Sequence, residues 1–160
     1  MARVPTRYIP DHLSKADKTR VRRELRKSRR QYKKGKFHTR KKVKSFKPRK
    51  SRWIEVLRRK YKIADHVPLS NTLLSKKTGC SKKTLKHIIK KGKGAYFSSG
   101  SRPNQTATSW GKARLYSSLS GGPASRIDLL LLEKGCKSTS KALRMARRVK
   151  AERVRSKRRL

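Results

Sequence analysis

The stretch SNTLLSKKTGCSKKTLKHIIKKGKG, residues 70–94, decides the fold. Ser70 is a typical N-cap for a short helix that carries two leucines. Gly79 suits the left-handed conformation that ends a helix, and Ser81 can cap a second helix. Leucine and isoleucine side chains then recur on one face of that second helix until Gly92 ends it. The pattern predicts two short helices joined by a tight turn.

Two interpretations of this pair of helices stay open. In a helix-turn-helix, the second helix would enter the major groove of DNA, where Lys82, Lys83 and Lys86 would reach it. In the alternative, the pair is a helical hairpin that builds a small core. We favour the hairpin, because lysines position a protein on phosphates, whereas sequence readers tend to show Arg, Asn or Gln.

Toward the C-terminus, residues 95–108 predict a loop of small and polar residues. A helix then begins at Thr108 or Ser109 and ends before the Gly121–Pro123 break. Another helix is expected from Pro123 to Leu132, since proline suits a first helical turn. Ser138 is expected to cap the last helix.

Toward the N-terminus, Ser14 can cap a helix that ends near Gly35 and carries a narrow apolar stripe. Residues 36–50 have no helical period and contain Pro48, so they predict an extended basic arm. Ser51 opens a further helix with a wider apolar face. The stripe consists of Val21, Leu25, Ser28 and Tyr32, and the expected anchors of the arm are Phe37, Val43 and Phe46.

These elements predict a mainly α fold. Its small helical core, with the hairpin that resembles a helix-turn-helix, would carry a long basic N-terminal arm and a basic C-terminal helix. The expected organisation has three parts. They are a basic arm with one amphipathic helix at 1–50, a core domain at 51–137, and a basic helix or tail at 138–160.

The charge indicates a polyanionic partner. Lys and Arg number 50 against 8 Asp and Glu, a formal net charge of +42. A monomer with this charge repels itself on compaction, so neutralising partners are expected. The candidate polyanion-binding or partner-binding residues are Arg22, Arg23, Arg26, Arg29, Arg30, Lys33, Lys34, Arg40, Lys41, Lys42, Lys82, Lys83, Lys86, Arg102, Arg147, Arg148, Arg153 and Arg155.

Aromatic residues near the loop allow two interpretations. Tyr96 and Phe97 could stack on nucleic-acid bases, beside backbone amides and cations that could cradle an anion. Alternatively, the aromatics fill the core and Arg102 pairs with an acid or a carbonyl. We favour the core, and we expect the docking core to include Trp53, Tyr96, Phe97 and Trp110.

Catalysis is not expected, and neither is a cofactor or a metal. The four histidines are scattered among basic residues, and no Gly-rich phosphate loop ends in Lys-Ser or Lys-Thr.

For Cys80 and Cys136 we expect two free thiols, with a single disulfide as the alternative. The longest apolar run, Leu129–Leu132, is far too short for a transmembrane helix.

Three segments resemble one family. They are RELRKSRRQYKKGKFHTRKKVKSFKPRKS (23–51), LSKKTGCSKKTLKHIIKKGKGAYFSSGSRPNQT (74–106) and SWGKARLYSSLSGGPASRIDLLLLEKGC (109–136). The family consists of small basic proteins of unknown function, encoded mainly by large nucleocytoplasmic DNA viruses and by some phages. It supplies no catalytic residue. The resemblance implies a viral protein that is made in the host cytoplasm and carried inside the virion capsid.

Three functions follow as hypotheses. The first is a minor capsid protein that cements neighbouring capsid proteins on the inner shell face through its core and basic arms. Its partners would be the major capsid protein and other minor capsid proteins, with viral DNA or anionic inner-membrane headgroups as further candidates. The second is a virion DNA-condensing protein. The third is a ribosomal protein, which fits the composition and is disfavoured by the resemblance alone.

Overall fold

A computed structural model describes residues 4–158, and the fold is mainly helical, as predicted, with 64% helix. No strand forms within these residues. After a short 3-10 helix at Thr6–Tyr8, the α-helices are α1 Lys15–Lys33, α2 Arg52–Tyr61, α3 Asn71–Thr78, α4 Lys82–Ser98, α5 Ala107–Leu119, α6 Pro123–Ile127, α7 Leu129–Gly135 and α8 Lys141–Arg158.

The chain divides into two compact units, each with its own hydrophobic core. Unit 1 contains residues 4–50 and 91–111, and unit 2 contains residues 51–90 and 112–158. The divisions at 90 and 111 fall within α4 and α5.

Helix α1 organises unit 1. It begins where Ser14 accepts a hydrogen bond from the Asp17 amide, as the sequence predicted. The predicted stripe is buried along Val21, Leu25 and Ser28. Gly100 has a φ of +116° and lies against this stripe. A Cβ there would meet a Leu25 methyl at 2.8 Å, so only glycine fits.

Residues 36–50 form no helix, as predicted, but the segment is packed within unit 1. Val43 is buried in the same cluster as Tyr8, Leu13 and Leu25. Asn104 holds it on both sides: the Val43 amide donates to Asn104 Oδ1 at 2.8 Å, and Asn104 Nδ2 donates to the Val43 carbonyl at 3.0 Å. Of the other expected anchors, Phe46 is half-buried and Phe37 is 72% exposed.

Unit 2 is built around the predicted pair of helices. Leu74 of α3 and Leu85 and Ile88 of α4 are fully buried. α8 packs on α6 and α7, and its Leu143 joins the same core. Two predicted boundaries change here. α8 begins at Lys141 rather than after Ser138, and the helix expected from Pro123 to Leu132 divides in two at Asp128.

Helix α4 is longer than predicted, because it continues through Gly92 and Gly94 to Ser98. Glycine inside a helix costs about 1 kcal/mol. Packing outweighs that cost here, because the extended helix buries Tyr96 completely. The first residues of the expected loop are therefore helical.

The expectation of two free thiols was wrong, since Cys80 and Cys136 form a disulfide. Backbone pairing brings the two segments together. The Ser81 amide donates to the Gly135 carbonyl at 2.7 Å, and the Lys137 amide donates to the Gly79 carbonyl at 2.9 Å. The disulfide thus joins the turn between α3 and α4 to the segment between α7 and α8.

Candidate polyanion-binding surface

Three of the eight acidic side chains are turned to internal partners. Asp17 accepts hydrogen bonds from the amide and hydroxyl of Ser45, at 3.0 and 2.6 Å. Glu24 and Asp128 are both buried. These carboxylates therefore neutralise little of the cationic surface.

Glu24 links α1 to the basic segment that follows it. His38 Nε2 lies 2.9 Å from a Glu24 oxygen, and the Lys41 amide donates to the same oxygen at 3.1 Å. Burial raises the pKa of Glu24, but the hydrogen bonds from His38 and Lys41 outweigh burial and hold the pKa below its ordinary value of 4.5. Glu24 is therefore held as a carboxylate at neutral pH.

This arrangement predicts acid destabilisation of unit 1. A carboxylate whose folded-state pKa is lowered stabilises the fold above its unfolded pKa and loses that effect as the pH falls through the folded value. We expect Glu24→Gln to lower the free energy of unfolding at pH 7 by about 1–3 kcal/mol and to flatten its decline below pH 4.5.

Urea unfolding at a series of pH values measures both effects. The matched control is Glu55→Gln, since Glu55 is exposed on α2. Equal losses in the two variants, or an unchanged pH profile for Glu24→Gln, would contradict the assignment.

The outward face of α1 carries the largest group of the predicted cations. Arg29 is half-buried and engaged in a further contact. A helix of 19 residues is about 28 Å long, so the face spans several phosphates of a nucleic-acid strand. The exposed members are Arg22, Arg23, Arg26, Arg30 and Lys33, followed by Lys34 just beyond the helix.

Arg40 departs from its predicted role as a polyanion-binding residue. Its guanidinium donates to Ser28 Oγ at 3.1 Å, to the Tyr96 carbonyl at 2.7 Å and to Ser101 Oγ at 2.6 Å. It also lies 3.7 Å from the centre of the Tyr96 ring. Burial lowers the Arg40 pKa. Its neighbours Lys41 and Lys42 remain exposed.

We expect Arg40→Met to destabilise unit 1 by about 2–3 kcal/mol, because three buried acceptors lose their donor. The chain has two tryptophans, one in each unit, so Trp110 fluorescence in a Trp53→Phe background reports on unit 1. Lys42→Met removes an exposed charge and is the control. A loss in Lys42→Met as large as in Arg40→Met would contradict the internal role.

The remaining predicted cations are exposed and lie on two helices and one loop. Lys82, Lys83 and Lys86 share one face of α4, and Arg102 lies in the loop before α5. Arg147 contacts Glu133 at 3.4 Å. The prediction missed neighbours that the same helical spacing would have identified. The predicted cations of α8 are all exposed, namely Arg147, Arg148, Arg153 and Arg155. The exposed cations that the prediction missed on α3, α4 and α8 include Lys76, Lys77, Lys90, Arg144 and Lys150.

The loop residues that could have cradled an anion are used internally. Ser101 Oγ accepts from Arg40 and donates to the Arg102 carbonyl at 2.9 Å, and Asn104 is bonded to Val43. Tyr96 is fully buried, and its ring meets that of Phe97 edge to face. Trp53, Phe97 and Trp110 are half-buried. The loop residues Ser101 and Asn104 and the ring of Tyr96 therefore act in packing.

Within residues 4–158, no three His, Cys, Asp or Glu side chains are grouped closely enough to hold a metal ion. No helix there combines the length and apolar character needed to cross a membrane.

Fold and surface together define a small, mainly helical and strongly basic protein. Residues 5–128 match the model of a family of unknown function, DUF5824, and the chain belongs to that family. No curated protein matches the chain, and no solved structure does.

Proposed function

We propose that the protein is a non-catalytic nucleic-acid-binding protein that contacts the phosphate backbone through the exposed faces of α1, α4 and α8. One observation carries this proposal. The buried carboxylates face inward, whereas most of the cations of these three helices face solvent. Residues 66–127 contain no Asp or Glu, so no carboxylate within this stretch balances the positive charge of its lysines and arginines. Such a surface attracts a dense polyanion.

The test uses the full chain and a short labelled duplex, with fluorescence anisotropy at several salt concentrations. The variant carries Arg22→Gln, Arg23→Gln, Arg26→Gln and Arg30→Gln. Gln and Arg have similar helix propensity, so α1 should persist. The log–log salt slope is expected to fall by about 3–4, since each phosphate contact contributes about 0.9.

The matched control replaces the same four arginines with lysine, which keeps the charge and should keep the slope. Polyglutamate serves as a second probe, because it imitates an acidic protein surface. Binding of duplex DNA at a lower protein concentration than polyglutamate is expected. Equal binding of both, or an unchanged slope in the Gln variant, would contradict the proposal.

A minor capsid protein of a large DNA virus is the second candidate. An exposed apolar pair favours it: Ile127 at the end of α6 is 57% exposed and Leu130 in α7 is 69% exposed. Exposed apolar side chains of this kind suit contact with another protein. The resemblance to viral proteins points the same way. Gentle dissociation of virus particles tests it, since a cementing protein leaves with the shell and a DNA-binding protein leaves with the DNA.

A further inference from the structure

The turn between α3 and α4 has the length and the glycine of a helix-turn-helix. Three residues, Gly79 to Ser81, separate the two helices, and Gly79 adopts the left-handed conformation with a φ of +72°. A short turn containing glycine is characteristic of this motif. The inward positions are all buried: Leu74 and Thr78 in α3, Cys80 in the turn, and Leu85 and Ile88 in α4.

The turn is held firmly in this form. Ser75 Oγ donates to the Cys80 carbonyl at 2.7 Å, and the Thr84 amide donates to Ser81 Oγ at 3.2 Å, which caps α4. Ser140 Oγ donates to the Thr78 carbonyl at 2.7 Å. With the disulfide, these bonds fix the start of α4 relative to α3. A binding element that is already ordered loses less conformational entropy when it binds its partner.

The opposite face of α4 is free and cationic. It is formed by positions that recur at helical spacing, and none of them is acidic. The charge complements phosphate, and a helix of this kind fits the major groove of B-form DNA, which is about 12 Å wide. The exposed positions are Lys82, Lys83, Lys86, His87 and Lys90.

We propose that α4 docks in the major groove of duplex DNA, with Lys82, Lys83 and Lys86 on the groove edges and flanking phosphates. This inference rests on the proposed function and deepens it by naming the nucleic acid and the groove. Because the lysines act as point charges, they position the helix on DNA and contribute little discrimination between base sequences. Double-stranded RNA is excluded as the favoured ligand, because side chains cannot read its deep, narrow major groove.

The first experiment compares one duplex in two forms. In the second form every cytosine carries a glucosylated 5-hydroxymethyl group, which fills the major groove and leaves the phosphate charge unchanged. We expect about tenfold weaker binding to the filled groove. Bound protein should also protect guanine N7, an atom of the major groove, from methylation by dimethyl sulfate.

The second experiment compares two triple variants with equal loss of charge. The α4 variant carries Lys82→Gln, Lys83→Gln and Lys86→Gln. The α8 variant carries Arg147→Gln, Arg148→Gln and Arg153→Gln. Both should lower the salt slope by about 2–3. Guanine N7 protection should disappear in the α4 variant and persist in the α8 variant, and thermal unfolding checks that both remain folded.

Equal affinity for the plain and filled grooves, absence of N7 protection, or equal affinity for double-stranded RNA would each overturn the groove assignment. The proposed function would survive those results if binding of the unmodified duplex still weakened steeply with salt. Absence of salt-dependent binding would overturn both.

Discussion

Replacing Arg114 with methionine is expected to lower the free energy of unfolding of unit 2 by about 3–5 kcal/mol. Arg114 donates two hydrogen bonds to the Asp128 carboxylate, from Nε at 2.9 Å and from Nη2 at 2.7 Å. Ser118 Oγ donates a third, at 2.8 Å. Asp128 is fully buried, so the variant leaves a carboxylate in the core without its cation.

Urea unfolding measures this loss, followed by Trp53 fluorescence in a Trp110→Phe background so that unit 2 alone reports. Arg147→Met is the matched control. Its Nε lies 3.4 Å from Glu133, both side chains are well exposed, and such pairs contribute about 0–1 kcal/mol. A loss for Arg114→Met within the range of the control would show that the buried pair does not hold unit 2 together.

Loss of the Cys80–Cys136 disulfide is expected to destabilise unit 2 by about 2–4 kcal/mol. The bond closes a loop across a sequence separation of 56 residues. Breaking it raises the conformational entropy of the unfolded chain and so favours unfolding. Dithiothreitol should therefore lower the unfolding midpoint of the wild-type protein. The Cys80→Ala/Cys136→Ala variant should match the reduced wild type and show no further response to dithiothreitol.

Thiol titration of the native protein supplies the decisive comparison. The structure predicts that no thiol reacts before reduction, whereas two reactive thiols would show that the pair is free. Because Cys80 lies in the turn between α3 and α4, the same variants also show how far the disulfide fixes that turn.

The sequence predicted what depends on local chemistry. Ser14 and Ser70 cap helices as expected, and Gly79 ends α3 in the left-handed conformation. The stripe along Val21 and Leu25 is buried because helical spacing alone places those residues on one face. These features need no knowledge of the rest of the chain.

The sequence could not predict what depends on distant partners. The extension of α4 depends on contacts of Tyr96 with Arg40, more than 50 residues away. The division of the helix at Asp128 depends on Arg114 in another helix. The disulfide depends on backbone pairing between two segments far apart in the chain. Arg40 was assigned to a polyanion because its charge was visible in the sequence and its burial was not.

The run GAYFSSGSRPNQT, a signature within the second segment that resembles the family, acts mainly in packing. Tyr96, Ser101 and Asn104 hold the segment from Arg40 to Val43, and Gly100 allows Leu25 to approach. Apart from Arg102, the candidate binding residues lie outside this run, mostly on helix faces of simple basic composition. The residues of this signature therefore stabilise the fold of unit 1. The proposed function depends instead on the exposed positive charge.

The affinity of the wild-type chain for a short duplex, measured as a function of salt, tests the central claim most directly. If the exposed faces of α1, α4 and α8 contact about six phosphates or more, log K falls linearly with log salt at a slope of about −5 or steeper. An affinity that stays constant between about 50 and 200 mM salt would contradict the claim that this protein binds nucleic acid through its surface cations.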